Sequence, residues 1–246
     1  SGSSTSTGSF GVLQLVKYNQ GIGDVGSTVF GVDAAKPGMT GTENTAIGSN
    51  ALTDITSGAG NTALGREAAM NVTTGGDNVA IGKLALATAT SPSQNVAVGN
   101  EALRLTTTGG SNVGVGREAG YEGTTHSGSV FIGERAGYEV TTGNENIAIG
   151  HNAMNGGTIT GNDNIAIGSE VLDAMTSGTD NIGIGHQTLT RLTTGVSNIA
   201  MGNNSLGQNT MTGNYNVAIG FFALSDESSG NNNVSLGKCA LQQLTG

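Results

Sequence analysis

The feature that most constrains this chain is a short, fixed repeat. An asparagine opens a unit at Asn44, Asn61, Asn78, Asn95, Asn112, Asn146, Asn164, Asn181, Asn198, Asn216 and Asn233, and Ser129 fills the remaining place. The spacing is 17 residues throughout, apart from two steps of 18 that end at Asn164 and Asn216, so the series comprises twelve units. Each unit reads N-[VIT]-A-[IVL]-G-x-x-A-L-x-x-h-T-T-G-x-x, where h is often apolar. Its fifth place is glycine in every unit: Gly48, Gly65, Gly82, Gly99, Gly116, Gly133, Gly150, Gly168, Gly185, Gly202, Gly220 and Gly237. A period of this length marks a solenoid, because one unit cannot bury its own apolar face and must stack on the next.

Places two to four, such as Val79-Ala80-Ile81 and Ile165-Ala166-Ile167, are too short and too β-branched for a helix and read as a strand. The following glycine permits a positive φ, and the T-T-G stretch supplies a second corner. The A-L segment between the corners fits a second strand slightly better than one helical turn. The predicted fold is therefore all-β, a parallel β-solenoid or β-roll of about twelve 17-residue coils. Stacked at about 4.8 Å, those coils make a rod roughly 55–60 Å long, in which the asparagines form an amide ladder. Residues 1–40 form a lead and capping segment, with a short strand expected from Gly11 to Tyr18. Residues 41–246 form the repeat domain, which breaks off within a unit at Leu244-Thr245-Gly246.

Composition agrees with a thin repetitive core. The chain has 43 glycines, no tryptophan, 4% aromatic and 11% charged residues, so burial must come from Ala, Val, Ile and Leu in regular array. A net charge of −9 with nine scattered Lys and Arg argues against nucleic-acid binding. No apolar run reaches the roughly 18 residues of a membrane-spanning helix. The single cysteine, Cys239, excludes an intrachain disulfide and is expected to be a buried or half-buried thiol.

Strand residues alternate faces, so places two and four point one way and place three the other. Both sets are water-poor, and one thin coil covers only one of them. The other set is expected to meet further copies of the chain around the solenoid axis, as a homotrimer. Which column faces that axis is left open, although the small residues of place three suit a crowded one.

The strands Asn78 to Gly82, Asn146 to Gly150, Asn164 to Gly168 and Asn216 to Gly220 resemble the head repeats of trimeric autotransporter adhesins. The longer form T-G-x-x-N-x-A-I-G-x-x-A-L is similar to repeats of phage tail-fibre and related marine-virus structural proteins. The resemblance spans Gly41 to Gly246 and implies a trimeric surface fibre, on a virion or alternatively on a bacterial cell surface. The period is longer than that of adhesin heads, and this sequence contains no chaperone domain or Ser-Lys dyad.

Few residues stand out as functional. Glu118-Ala119-Gly120-Tyr121 and Glu134-Arg135-Ala136-Gly137-Tyr138 break the pattern: Gly replaces Leu, a Tyr follows, and Phe131 replaces Ala. Tyr121 and Tyr138 lie one period apart and are expected to stack, either as an exposed platform for a glycan or by filling the volume Leu vacated. His126 sits in the T-T corner and reads as exposed, a further candidate ligand contact. His151 and His186 share place six but stand two coils apart, roughly 10 Å, which is too far to share a metal. Asp77, Glu145, Asp163 and Asp180 recur just before the asparagine as a corner column. No catalytic constellation, cofactor site or metal site emerges, and the chain reads as a non-enzyme. An ice-binding array on the threonine column (Thr56, Thr73, Thr107, Thr141, Thr176, Thr193) is disfavoured because a T-T corner lacks a flat T-x-T face. The expected function is a fibre segment that contacts a host-surface glycan or protein.

Overall fold

The computed structural model describes residues 26–207, 209–226 and 229–242; the strand expected from Gly11 to Tyr18 and the terminal Leu244-Thr245-Gly246 lie outside them. The chain is an all-β parallel solenoid whose 13-stranded sheet runs in strict sequence order from β1 (Thr28–Phe30) to β13 (Val234–Leu236). Every strand has three residues and pairs in register one repeat apart, as in Val79↔Val96, Ala80↔Ala97 and Ile81↔Val98. β1 lies upstream of the twelve units: Ser27-Thr28-Val29-Phe30-Gly31 stacks on the coil of Asn44 through Thr28↔Thr45. The pattern is degenerate there, with Ser for Asn and Val for Ala.

The two faces of the strand are unequal. Place three points into the coil, where Ala46, Ala63, Ala80, Ala97, Ala148 and Ala166 are fully buried. Places two and four point outward and are half-buried or exposed, shielded mainly by their counterparts in the coils above and below. The small column therefore lines the chain's own interior, and the large aliphatic column lies outside it.

The A-L segment is neither strand nor helix but a chain of turns. A strand would send Ala51 and Leu52 to opposite faces, yet both are fully buried, as are Ala102 with Leu103 and Ala223 with Leu224. The leucine achieves this with a left-handed backbone, φ 49° at Leu52 and 48° at Leu103. A left-handed residue costs roughly 1–2 kcal/mol. Ladder bonds offset the strain: Leu52 N–H donates to Ala68 O at 3.0 Å, and Leu86 N–H to Ala102 O at 2.9 Å. Place seven and the residue before each asparagine are left-handed too, for example Glu101 (60°) and Asp77 (58°), and they also donate between coils.

Asparagine fastens the corner opposite. Asn44 Oδ1 accepts from Asn61 N–H at 3.0 Å and from Asn61 Nδ2 at 3.1 Å, while Asn61 Nδ2 also donates to Gly75 O at 2.9 Å across its own coil. The same set recurs from Asn61 to Asn112 and from Asn146 to Asn216, and Asn233 repeats the two bonds between coils. At Ser129 the backbone bonds persist but the amide-to-amide link is missing, because the side chain is shorter. The two 18-residue coils carry two residues more before Ile159 and Met211, which return to the columns of Val140 and Leu192, and one fewer after them.

The glycine of place five is fixed by two requirements at once. Its φ is 132° at Gly133, and a Cβ there would stand 2.6 Å from Gly150 O in the next coil. Gly237 shares the backbone (φ 121°), but a Cβ there would meet nothing closer than Ala240 Cβ at 4.0 Å. Gly133→Ala is expected to destabilise the fold by about 3 kcal/mol, and Gly237→Ala by only about 1 kcal/mol, in urea unfolding followed by circular dichroism. Equal losses would mean that coil contact is not what fixes this column.

Candidate functional site

The coils of Asn112 and Ser129 hold the densest group of departures from the repeat. Gly120 and Gly137 occupy the place of the buried leucine, and the fully buried Phe131 ring fills the space they leave. A Cβ on Gly120 would stand 2.6 Å from Phe131 Cδ2, and one on Gly137 would run into the same ring. One large residue in the alanine column thus replaces two leucines across adjacent coils. This corrects the expectation that each tyrosine fills the vacated volume.

Tyr121 and Tyr138 instead lie outside the core, half-buried on the turn side of the coil. Their rings stack with centroids 5.0 Å apart and planes within 4°. Arg104 lies over the Tyr121 ring at 5.6 Å and donates to its hydroxyl at 2.8 Å; Arg135 lies over Tyr138 at 4.6 Å. Each guanidinium pairs with a carboxylate, Arg104 with Glu101 of its own coil at 3.2 Å and Arg135 with Glu118 of the preceding coil in the same column at 3.0 Å. Arg117 links Glu118 and Glu134, and its hydrogen bond and charge hold the Glu134 carboxyl below the usual carboxylate range. Each ring therefore has the other ring against it and a guanidinium over it.

His126 is buried, contrary to the exposed corner expected from the T-T pattern. It occupies the place held by glycine in Gly58, Gly75 and Gly109, whose carbonyl column receives the asparagine amides; His126 O accepts from Asn112 Nδ2 at 2.9 Å. Its ring turns into the space of Gly123, which stands where other coils carry Val72 or Val140, and packs 5.4 Å from Phe131. Neither ring nitrogen has a hydrogen-bond partner, and neither has the nearby buried Thr106 hydroxyl. Glycine in the apolar column was the sequence signal that the next large residue fills the core.

The other candidates are dispersed. His151 and His186 are exposed on the corner after the strand, and no group of three His, Cys, Asp or Glu able to hold a metal occurs among the described residues. Cys239 is exposed, not buried or half-buried: it occupies the left-handed place seven, which is half-buried at Glu67 and Glu101 inside the stack, and no described coil stacks on its own. The threonine hydroxyls are spent within the stack: Thr56 Oγ1 donates to Thr73 O at 3.0 Å and Thr73 Oγ1 to Thr90 O at 2.8 Å. No helix among the described residues is long and apolar enough to cross a membrane. No family model, curated protein or solved structure matches the chain.

Two outcomes follow from the Phe131–His126 core. Phe131→Ala should cost about 3–5 kcal/mol, and adding Gly120→Leu and Gly137→Leu should recover most of it by restoring the regular packing, as read by urea midpoints. Burial lowers the His126 pKa to about 4 from 6.5, because the neutral ring is the form the core tolerates. The unfolded chain therefore binds a proton below pH 6.5 that the folded chain refuses until about pH 4. Stability from this group is complete above pH 6.5 and is lost as pH falls towards 4, by roughly 3 kcal/mol. His126→Met should flatten that part of the pH–stability curve relative to the parent.

Proposed function

We propose that the protein is a structural fibre segment, a stiff rod of three parallel copies joined through the outer faces of their sheets. The supporting observation is the outer face itself. Across 13 strands the outward places carry only Thr, Val, Ile, Leu, Met and Phe, without one charge. Within the stack, Leu64 is 44%, Ile132 39% and Met201 38% exposed. A continuous apolar stripe the length of the rod covers roughly 500 Å², at the upper end of what single-copy soluble proteins leave uncovered. Counted with its flanks, the face offers on the order of 800 Å² per copy, the amount a standard interface buries.

Such a rod serves a virus tail or surface appendage, with a bacterial adhesin head as the alternative setting for the same architecture. Attachment to a host-surface glycan or protein falls to the corners that stay exposed once the sheet faces are joined. The column of Tyr121 and Tyr138 lies among these.

Light scattering on the purified chain should give a mass of about 73 kDa, three times the 24.4 kDa of one copy. Ile149→Asp, which places a carboxylate on the outer face of β8 (Ile147–Ile149), should reduce the mass to that of one copy while the far-ultraviolet spectrum keeps its β character. A parent protein that is one copy at micromolar concentration would overturn the proposal.

A further inference from the structure

The two flanks of the outer face carry opposite charge. The flank before the strand, the residue preceding each asparagine, holds Glu43, Asp77, Glu145, Asp163 and Asp180 and no Lys or Arg. The flank after the strand, place six, holds Arg66, Lys83, Arg117 and Lys238 with His151 and His186, and its one acid is Glu134. All these side chains are exposed, and none of the five acids forms an ion pair among the described residues. Asp163 and Asp180 stand in adjacent coils, about 5 Å apart along the stack, where like charges repel.

The two flanks also match coil by coil. Asp77 and Lys83 bracket the same strand, as do Glu145 and His151, and Asp180 and His186. Where the first flank is aromatic, at the 59%-exposed Tyr215, the second is too, at the 45%-exposed Phe221. Glu134, the one acid of the second flank, shares its coil with the uncharged Gly128, so no coil sets like charges on both flanks. Six residues of extended chain separate the paired positions by roughly 15–20 Å, so the pairs do not meet within one chain.

We infer that these flanks are the docking edges for a second copy of this chain, and that they fix how the copies assemble: side by side, all pointing the same way, without axial stagger, the acidic flank of each against the basic flank of the next. The inference rests on the self-assembly proposed above and adds its orientation and register. Around an axis parallel to the solenoid, every copy presents its first flank to its neighbour's second, and closure of the ring requires that coils of equal height face one another. Asp77 then meets the Lys83 of the next copy, Glu145 its His151 and Tyr215 its Phe221. A twofold axis across the rod would instead set acid column against acid column, and a one-coil slip would oppose Glu145 to Glu134. Complementary potentials of this kind select orientation and register, while the apolar stripe supplies the burial.

The test is thiol cross-linking in the full chain with Cys239→Ser, which removes the exposed native thiol. Asp77→Cys combined with Lys83→Cys, treated with a short bismaleimide, should give a covalently closed ring containing every copy of the assembly. Either substitution alone should give no cross-link. Glu145→Cys with His151→Cys should behave alike and covers the case in which a thiol disturbs the left-handed backbone at position 77. If light scattering shows a multi-copy parent but the single variants link 77 to 77 or 83 to 83, the flank-to-flank arrangement is overturned while self-assembly stands. Failure of both double variants to link in a multi-copy protein also overturns it. A one-copy parent removes the basis of both.

Discussion

The structure depends on the close approach of identical backbone between consecutive coils. At place five the chain passes so near the next coil that only hydrogen fits on Cα, and this distance sets the rise for every other column. The strand bonds, the left-handed leucine bonds and the asparagine amides then fall into register together. Each stabilises the spacing the others need, so the stack has no independent layers that can slide. The same constraint explains the composition. A core only a few residues across, filled by Ala, Leu and a buried amide, has no room for the aromatic side chains that dominate larger interiors.

The coils of Asn112 and Ser129 show how far a single coil can depart while the period holds. Phe131 fills the space of two leucines and His126 that of one valine, and in each exchange a glycine appears where the displaced side chain would have stood. Volume is conserved, but polarity is not. An imidazole without partners sits where other coils are hydrocarbon. The surface above it carries stacked tyrosines and their guanidiniums on the turn side of the rod.

The parallel solenoid and its strand columns were legible in the sequence because the asparagine and glycine columns recur without a gap of more than one substitution. The A-L turn was not. Leucine carries no local signal for a left-handed backbone, and only the inter-coil hydrogen bonds, a property of the stack, make that conformation tolerable. His126 was misplaced by reading T-T-H-S as a polar corner, although glycine in that column elsewhere and glycine at 123 together mark an inward place. Cys239 was misplaced by residue type; its column, rich in Glu, Asn and Gln, points outward. The strand's alternation was read correctly, but which face closes the coil depended on side-chain size. Alanine fits the narrow interior, and a large residue there requires compensating glycines, as Phe131 does with Gly120 and Gly137.

Residue-resolved hydrogen exchange on the native protein tests most directly that the whole circumference, and not the strands alone, is bonded from coil to coil. The account predicts slow amides at Val79 and Gly82 and equally slow ones at Leu84, Leu86 and Asp77, recurring with the repeat along the rod. Fast exchange at the left-handed positions beside slow strands would show that the turns are ordinary loops and that stacking holds only at the sheet.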